Sequence, residues 1–164
     1  MTIPRPTAAA EPELAALDGR QSAAALEIQR GVGRLLGTYG LASVVEMPLA
    51  NGRRADVVGL SAKGDVWIVE IKSSVEDFRA DHKWPEYIDF SDRLYFAVAS
   101  DFPLQLVPET TGLILADRYG GEFVRHPVEM RLAAARRKAM TLAFARLAAA
   151  RLSRTLDPKL ADLI

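Results

Sequence analysis

The stretch that most constrains the fold is VWIVEIK, Val66 to Lys72. Val66, Trp67, Ile68, Val69 and Ile71 are strand formers, and they are apolar at successive positions rather than alternate ones. Such a strand belongs to a sheet covered on both faces. Glu70 and Lys72 interrupt it two residues apart, so both project from the same face. A buried charge costs several kcal/mol unless it is paired, and a paired one is often no better than an apolar replacement. The pair either neutralises itself at a strand end or is there for chemistry.

The surroundings of this strand read as an α/β (α+β) chain with a mixed central sheet, an antiparallel meander and flanking helices. From Gln21 the pattern is helical, with an apolar stripe of Leu26, Val32, Leu35 and Leu36 and a stop at Gly37 and Gly40. The GVG inside it follows helix rather than strand and is no dinucleotide loop. ASVVEMPL then alternates Val45, Met47 and Leu49 against Val44, Glu46 and Pro48. Asn51-Gly52 signals a hairpin with a primed turn and an antiparallel return, RADVVGL. SAKGD turns the chain again into Asp65–Lys72. The segment VEDFRADHKWPEYIDFSD reads as a helix followed by a loop or short helix broken at Pro85. RLYFAVAS, GLILAD and GEFVRH are three further strands. Val128 to Arg154, rich in Ala, Leu and Arg, reads as one long helix. Residues 1–19, rich in Pro, Ala and Glu, read as a loose tail, and 20–164 as a single domain.

Bulk properties narrow the function classes. The absence of cysteine among 164 residues excludes disulfides and thiolate metal sites, and fits a reducing compartment. Net charge is zero, yet from Arg131 onward 8 basic residues face 2 acidic ones, leaving 13 basic and 19 acidic before it. A basic end behind an acidic body suits nucleic-acid contact, or a solvated Arg-rich helix equally. No signal peptide and no transmembrane run is recognisable, so a cytoplasmic protein with no membrane association is expected.

Two observations lift the charged pair above a neutralised strand end. If the SAKGD turn centres near Ala62-Lys63, Asp56 on the second strand falls opposite Glu70. Two carboxylates so close repel unless a cation lies between them. Carboxylate oxygens and a lysine are also what metal-assisted phosphodiester hydrolysis uses. Mg²⁺ prefers such oxygens, and a lysine can orient the attacking water or stabilise developing charge.

A helix, a three-strand meander, Asp56 on its second strand and Glu70-Ile71-Lys72 on its third resemble the PD-(D/E)xK nuclease superfamily, which has a restriction-endonuclease-like core. Ala55 stands where the proline customarily precedes the Asp. More narrowly, RGVGRLL, GRRADVVGL, VEIKSSVEDFRADHKWPEY, DRLYFAVAS, GLILADRYGGE and the RRKA helix resemble the MmcB family of bacterial DNA-repair proteins, from Arg30 to Arg154. The resemblance implies a nuclease-like fold, DNA repair, and Mg²⁺ or Mn²⁺ as cofactor. It implies Asp56 and Glu70 as metal ligands with the Ile71 carbonyl, and Lys72 as the catalytic lysine. Some superfamily members add a glutamate from the first helix, which here is Glu27; Glu46 on the first strand competes for that place.

The remaining candidates each have two readings. Arg53 and Arg54 clamp backbone phosphates or solvate the hairpin. Ser73 and Ser74 donate to a phosphate or cap the next helix. Lys83 and Trp84 hold a phosphate and stack on an unpaired base, or pack beside the sheet with Tyr87. His82 and His126 lack metal-ligand spacing and read as structural. Met140, Phe144 and Leu147 face core or partner. The expected function is a metal-dependent DNA endonuclease acting in repair on branched or damaged DNA. The alternatives are a catalytically inactive DNA-binding repair module on the same fold, and a structural Asp–Glu–Lys cluster in a protein-interaction domain. Other repair proteins and a second copy of the chain are candidate partners.

Overall fold

The computed structural model describes residues 21–162, so the expected tail, residues 1–19, lies outside the described residues. Six strands form one mixed sheet in the order β1-β2-β3-β4-β5-β6, flanked by helices. The meander is β1 (Ala42–Pro48), β2 (Arg54–Leu60) and β3 (Val66–Lys72), each antiparallel to the next. β4 (Arg93–Val98) and β5 (Gly112–Ala116) continue parallel to β3, and β6 (Gly121–Arg125) returns antiparallel.

β3 is covered on both faces, as its composition requires. On one face Val69 and Ile71 join Val57, Tyr95 and Ile114 beneath α1 (Ala23–Thr38). α1 presents Ile28, Gly31, Val32, Leu35 and Leu36 to the sheet; Leu26, expected in that stripe, is exposed, and Ile28, two residues on, takes its place. Gly31 is obligatory here, since a Cβ would lie 2.0 Å from the Asp117 carbonyl oxygen in the β5–β6 turn. On the other face Val66, Ile68 and Leu94 pack with Met140 and Phe144 of α3 (Ala134–Leu156) and with Tyr87 and Phe90 of a 3-10 segment, Trp84–Phe90. Pro85 opens that segment rather than breaking it, because its missing N–H lies among the unbonded first donors of a helix.

α3 starts at Ala134, not at Val128 as its composition suggests. The cause is Asp92. Its backbone carbonyl accepts the Met130 N–H (2.9 Å) and its carboxylate the Leu132 N–H (2.9 Å), which hold the chain extended before the helix. The same carboxylate, 2 % exposed, accepts the Val66 N–H at 2.7 Å and two bonds from Arg137 at 2.6 and 2.7 Å. One carboxylate thereby ties β3, the entry to β4 and α3 together. Burial alone would raise its pKa, but Arg137 and the two amides outweigh this and hold it below the usual aspartate range.

The hairpin at Asn51-Gly52 forms, but wider than a primed turn. The ladder closes at Pro48–Arg54, and Asn51 lacks the positive φ of a type I′ turn; its side chain instead accepts the Arg53 N–H. Among the described residues Glu46 alone, apart from glycines, has a positive φ, at 49°. There the expected alternation of β1 resets. Val45 and its partner Val57 pack under α1, whereas the next registered pair, Met47 and Ala55, packs on the opposite face. The ladder skips the step between them, Glu46 and Asp56.

Candidate active site

The β2–β3 ladder ends at Val57–Val69. One step further Asp56 stands opposite Glu70, as the position of the turn predicts, and side chains take over from backbone pairing. The Ile71 N–H donates to Asp56 Oδ2 at 2.8 Å, and the Asp56 N–H donates to Glu70 Oε1 at 3.2 Å. The strands separate at this point because each carboxylate occupies a place that a carbonyl would otherwise fill. Glu70 is 3 % exposed and Lys72 6 %. Lys72 Nζ meets Asp81 Oδ2 at 2.6 Å, at the end of α2 (Val75–Ala80).

Burial dominates the electrostatics of both carboxyls. It pushes Asp56 up to about 6, with the Ile71 amide and Lys72 pulling down and the charges of Asp77 and Glu46 pushing further up. It raises Glu70 well above the ordinary glutamate value, and the neighbouring Asp56 charge adds to the rise. Burial alone would lower Lys72, yet Asp81 and the other carboxylates outweigh it and raise its pKa, so the ammonium stays charged. The Tyr87 phenol is raised by burial and then by Glu70 and Asp56; its O–H donates to the Arg54 carbonyl at 3.1 Å. This is an excess of negative charge in a dry place, the arrangement found where a group's proton affinity is tuned for chemistry.

Glu46 belongs to the same corner. It is 6 % exposed, its Oε1 has no hydrogen bond, and Arg54 Nη2 is 3.6 Å away. Arg151 of α3 reaches the backbone here, donating to the Val45 carbonyl at 2.5 Å and to the Glu46 carbonyl at 3.4 Å.

The structure brings Asp56, Glu70, the Ile71 backbone and Lys72 together and leaves other expected residues apart. Glu27 is on α1, across the sheet from Glu70 and Lys72, and is ion-paired with Arg118 of the β5–β6 turn. Reach fails because a strand's odd and even positions point oppositely: Val69 and Ile71 lie under α1, so Glu70 and Lys72 cannot. Arg53 forms a two-pronged pair with Glu86, at 2.8 and 2.9 Å, fastening the hairpin to the 3-10 segment. Ser73 Oγ accepts from Ser22 Oγ at 3.3 Å, and Ser74 caps α2 by accepting the Asp77 N–H at 3.1 Å. Lys83 is exposed. Trp84 is half-buried, with its ring edge-on to Phe96 at 5.8 Å, so packing rather than an open stacking face describes it. His126 meets the Tyr95 hydroxyl at 2.9 Å, a structural contact. Sequence reasoning missed Asp81. Its signal was available, since a carboxylate just past the capped helix after β3 is well placed to return to Lys72.

The donor chemistry fits a hard divalent cation. Asp56, Glu70 and Glu46 offer carboxylate oxygens, the ligands Mg²⁺ and Mn²⁺ favour, although Glu46 already faces Arg54. As they stand, no three His, Asp or Glu side chains among the described residues are gathered into a metal cage. No described helix is long and apolar enough to cross a membrane.

The comparisons agree with the motif-level resemblance at the level of family. No curated protein matches the chain. A solved structure, the SPO1766 protein of unknown function from Silicibacter pomeroyi, is 45% identical over 82% of this chain and 92% of its own, with a TM-score of 0.80. The model of the family described as DNA repair protein MmcB-like matches residues 12–159. The chain therefore belongs to the MmcB-like family of DNA-repair proteins.

Proposed function

We propose that the protein is a DNA endonuclease of the PD-(D/E)xK type that acts in repair and depends on Mg²⁺ or Mn²⁺. The observation that carries this reading is the exchange between Asp56 and Glu70. The half-buried Asp56 and the buried Glu70, on adjacent strands, each accept a backbone N–H from across the broken ladder, with a charged lysine beside Glu70 on the same face. Beyond satisfying those two amides the pair is costly to the fold, since burial disfavours the charged form of each. A bound divalent cation would polarise a scissile phosphate and lower the pKa of a bound water. Asp56 and Glu70 would hold it, with the Ile71 carbonyl as a further oxygen donor. Lys72 would keep a positive charge beside the scissile phosphate and orient the attacking water. The exposed Lys83 is a candidate for contact with the DNA backbone, whereas Arg53 is engaged with Glu86, Arg54 with Glu46 and Ser73 with Ser22.

One contact favours a second reading, a DNA-binding module without cleavage: Asp81 neutralises Lys72 at 2.6 Å. Incubation with branched, flapped, single-stranded and duplex DNA in Mn²⁺ separates the two. Cleavage that disappears in Lys72→Ala while DNA binding persists supports the enzyme. Binding without cleavage by the unaltered protein on every substrate rules it out.

A further inference from the structure

We propose that Tyr119 is a stacking platform for an unpaired base of the DNA, with Arg30 and Arg34 beside it to receive the backbone phosphates. The inference rests on the DNA-directed reading above and deepens it by naming the class of substrate: DNA with a single-stranded segment, as at a flap or a gap.

The first observation is the ring itself. Tyr119 is 74 % exposed, the most exposed aromatic among the described residues. Others have partners within the protein: Tyr39, next in exposure, stands edge-on to Phe123 at 4.9 Å, and Trp84 packs on Phe96. Near the Tyr119 ring lies the Arg118 guanidinium, 5.9 Å from its centre. A lone exposed aromatic is ordinary on a protein surface and by itself implies nothing.

The second observation is how firmly the backbone beneath this ring is held. Asp117 Oδ1 accepts the Tyr119 N–H at 2.7 Å and the Gly120 N–H at 3.1 Å, and the Asp117 N–H donates to the Gly120 carbonyl at 3.0 Å. Arg34 donates to the Tyr119 carbonyl at 3.3 Å, and Arg118 pairs with Glu27. Gly31 lets the turn rest on α1, since a Cβ there would lie 2.0 Å from the Asp117 carbonyl oxygen and 2.4 Å from that of Gly120. Glycine inside a helix is destabilising, so helix stability is given up to seat the turn. A fixed backbone under a bare ring suits a surface on which a base stacks with little ordering left to do.

The third observation is place and charge. β3, β4 and β5 run parallel, so the turn after β5 lies at the same sheet edge as Glu70, Ile71 and Lys72, two strands or about 10 Å across. On that edge an open depression of about 520 Å³ is bounded by Ala99 and Ser100 after β4 and by Tyr119 and Gly120. The carboxyl ends of parallel strands are where open α/β sheets bind ligands. Arg30 and Arg34, one turn apart on α1, are exposed, and among the described residues neither forms an ion pair. Glu122 borders the depression from β6 and repels phosphate, so the DNA backbone belongs on the arginine side and the base on Tyr119.

Fluorescence anisotropy with a labelled oligo-dT strand and a blunt duplex of equal length, in EDTA and again in Ca²⁺, tests the assignment apart from cleavage. The variants are Tyr119→Ala, Tyr119→Phe and Arg30→Gln, all at exposed positions, with folding checked by circular dichroism. Tyr119→Ala is expected to weaken the single strand about tenfold and the duplex less than twofold. Tyr119→Phe keeps the ring without its hydroxyl and should stay within twofold on both. Arg30→Gln should lower the log–log salt slope of single-strand binding by about 0.7, as one lost phosphate contact requires. Single-strand affinity unchanged in Tyr119→Ala, or reduced as much on duplex, overturns this inference and leaves the endonuclease reading intact. A salt slope unchanged in Arg30→Gln overturns the place given to that arginine. No binding of either DNA by the unaltered protein in either condition overturns both readings.

Discussion

Two buried carboxylate centres lie on the same face of the sheet and obey opposite rules. Around Asp92 every charge has a counterpart: Arg137 grips both oxygens, two amides donate to them, and the pKa falls. Around Asp56 and Glu70 the acids outnumber the bases, each receives one backbone amide, and both pKa values rise. The first centre holds the fold together; the second is tolerated by it. A satisfied buried charge is architecture, whereas an overcharged site is one whose proton affinity departs from the ordinary value.

The largest effect should come from breaking the satisfied centre. Arg137→Ala leaves Asp92 buried without its counter-charge and is expected to lower stability by about 3–5 kcal/mol in urea unfolding. Asp56→Asn and Glu70→Gln should do the reverse, because each keeps an amide oxygen for the backbone donor and removes a charge that burial disfavours. Without divalent cations at pH 7.5, each is expected to gain about 1–3 kcal/mol. Millimolar Mg²⁺ should shrink that gap by stabilising the unaltered protein alone.

The pH dependence sharpens the contrast. Between the ordinary aspartate pKa of 3.8 and its native value of about 6, Asp56 binds more protons folded than unfolded. Stability therefore falls as pH rises through that window, and the advantage of Asp56→Asn should grow from about pH 4 to 6.5 and then level off. The lowered pKa of Asp92 has the opposite sign: its contribution is present above 3.8 and lost as pH falls through the native value. Smallest of all, Glu27→Gln removes only a surface pair and should leave the unfolding midpoint unchanged. A large loss there would mean that α1 depends on charge rather than on Ile28, Val32 and Leu36.

Much of this was legible in the chain because it rests on local patterns. The apolar run of β3, the Asn-Gly hairpin and the SAKGD turn fix the meander, and the turn alone predicts the facing of Asp56 and Glu70. What stayed hidden depends on contacts distant in sequence. Nothing near Val128 announces that Asp92 will hold residues 130–132 extended and delay α3. The alternation of β1 reads as regular because a positive φ at Glu46 leaves no trace in residue type. Glu27 looked suitable as a carboxylate in the first helix, but only the pairing of β3 decides which sheet face that helix covers. Asp81 went unnoticed because its link to Lys72 needs the bend after α2.

The Asp92 junction is also completed late in synthesis. Arg137 follows Asp92 by 45 residues, and α3 is the last long helix to be synthesised. Until it is complete, a growing chain holds a finished set of strands whose central aspartate has no counter-charge and whose second face lacks Met140 and Phe144. Such an intermediate exposes apolar surface and is prone to association. Chains ending before residue 134 are therefore expected to accumulate as insoluble fragments even though every strand and every carboxylate of the candidate site is present.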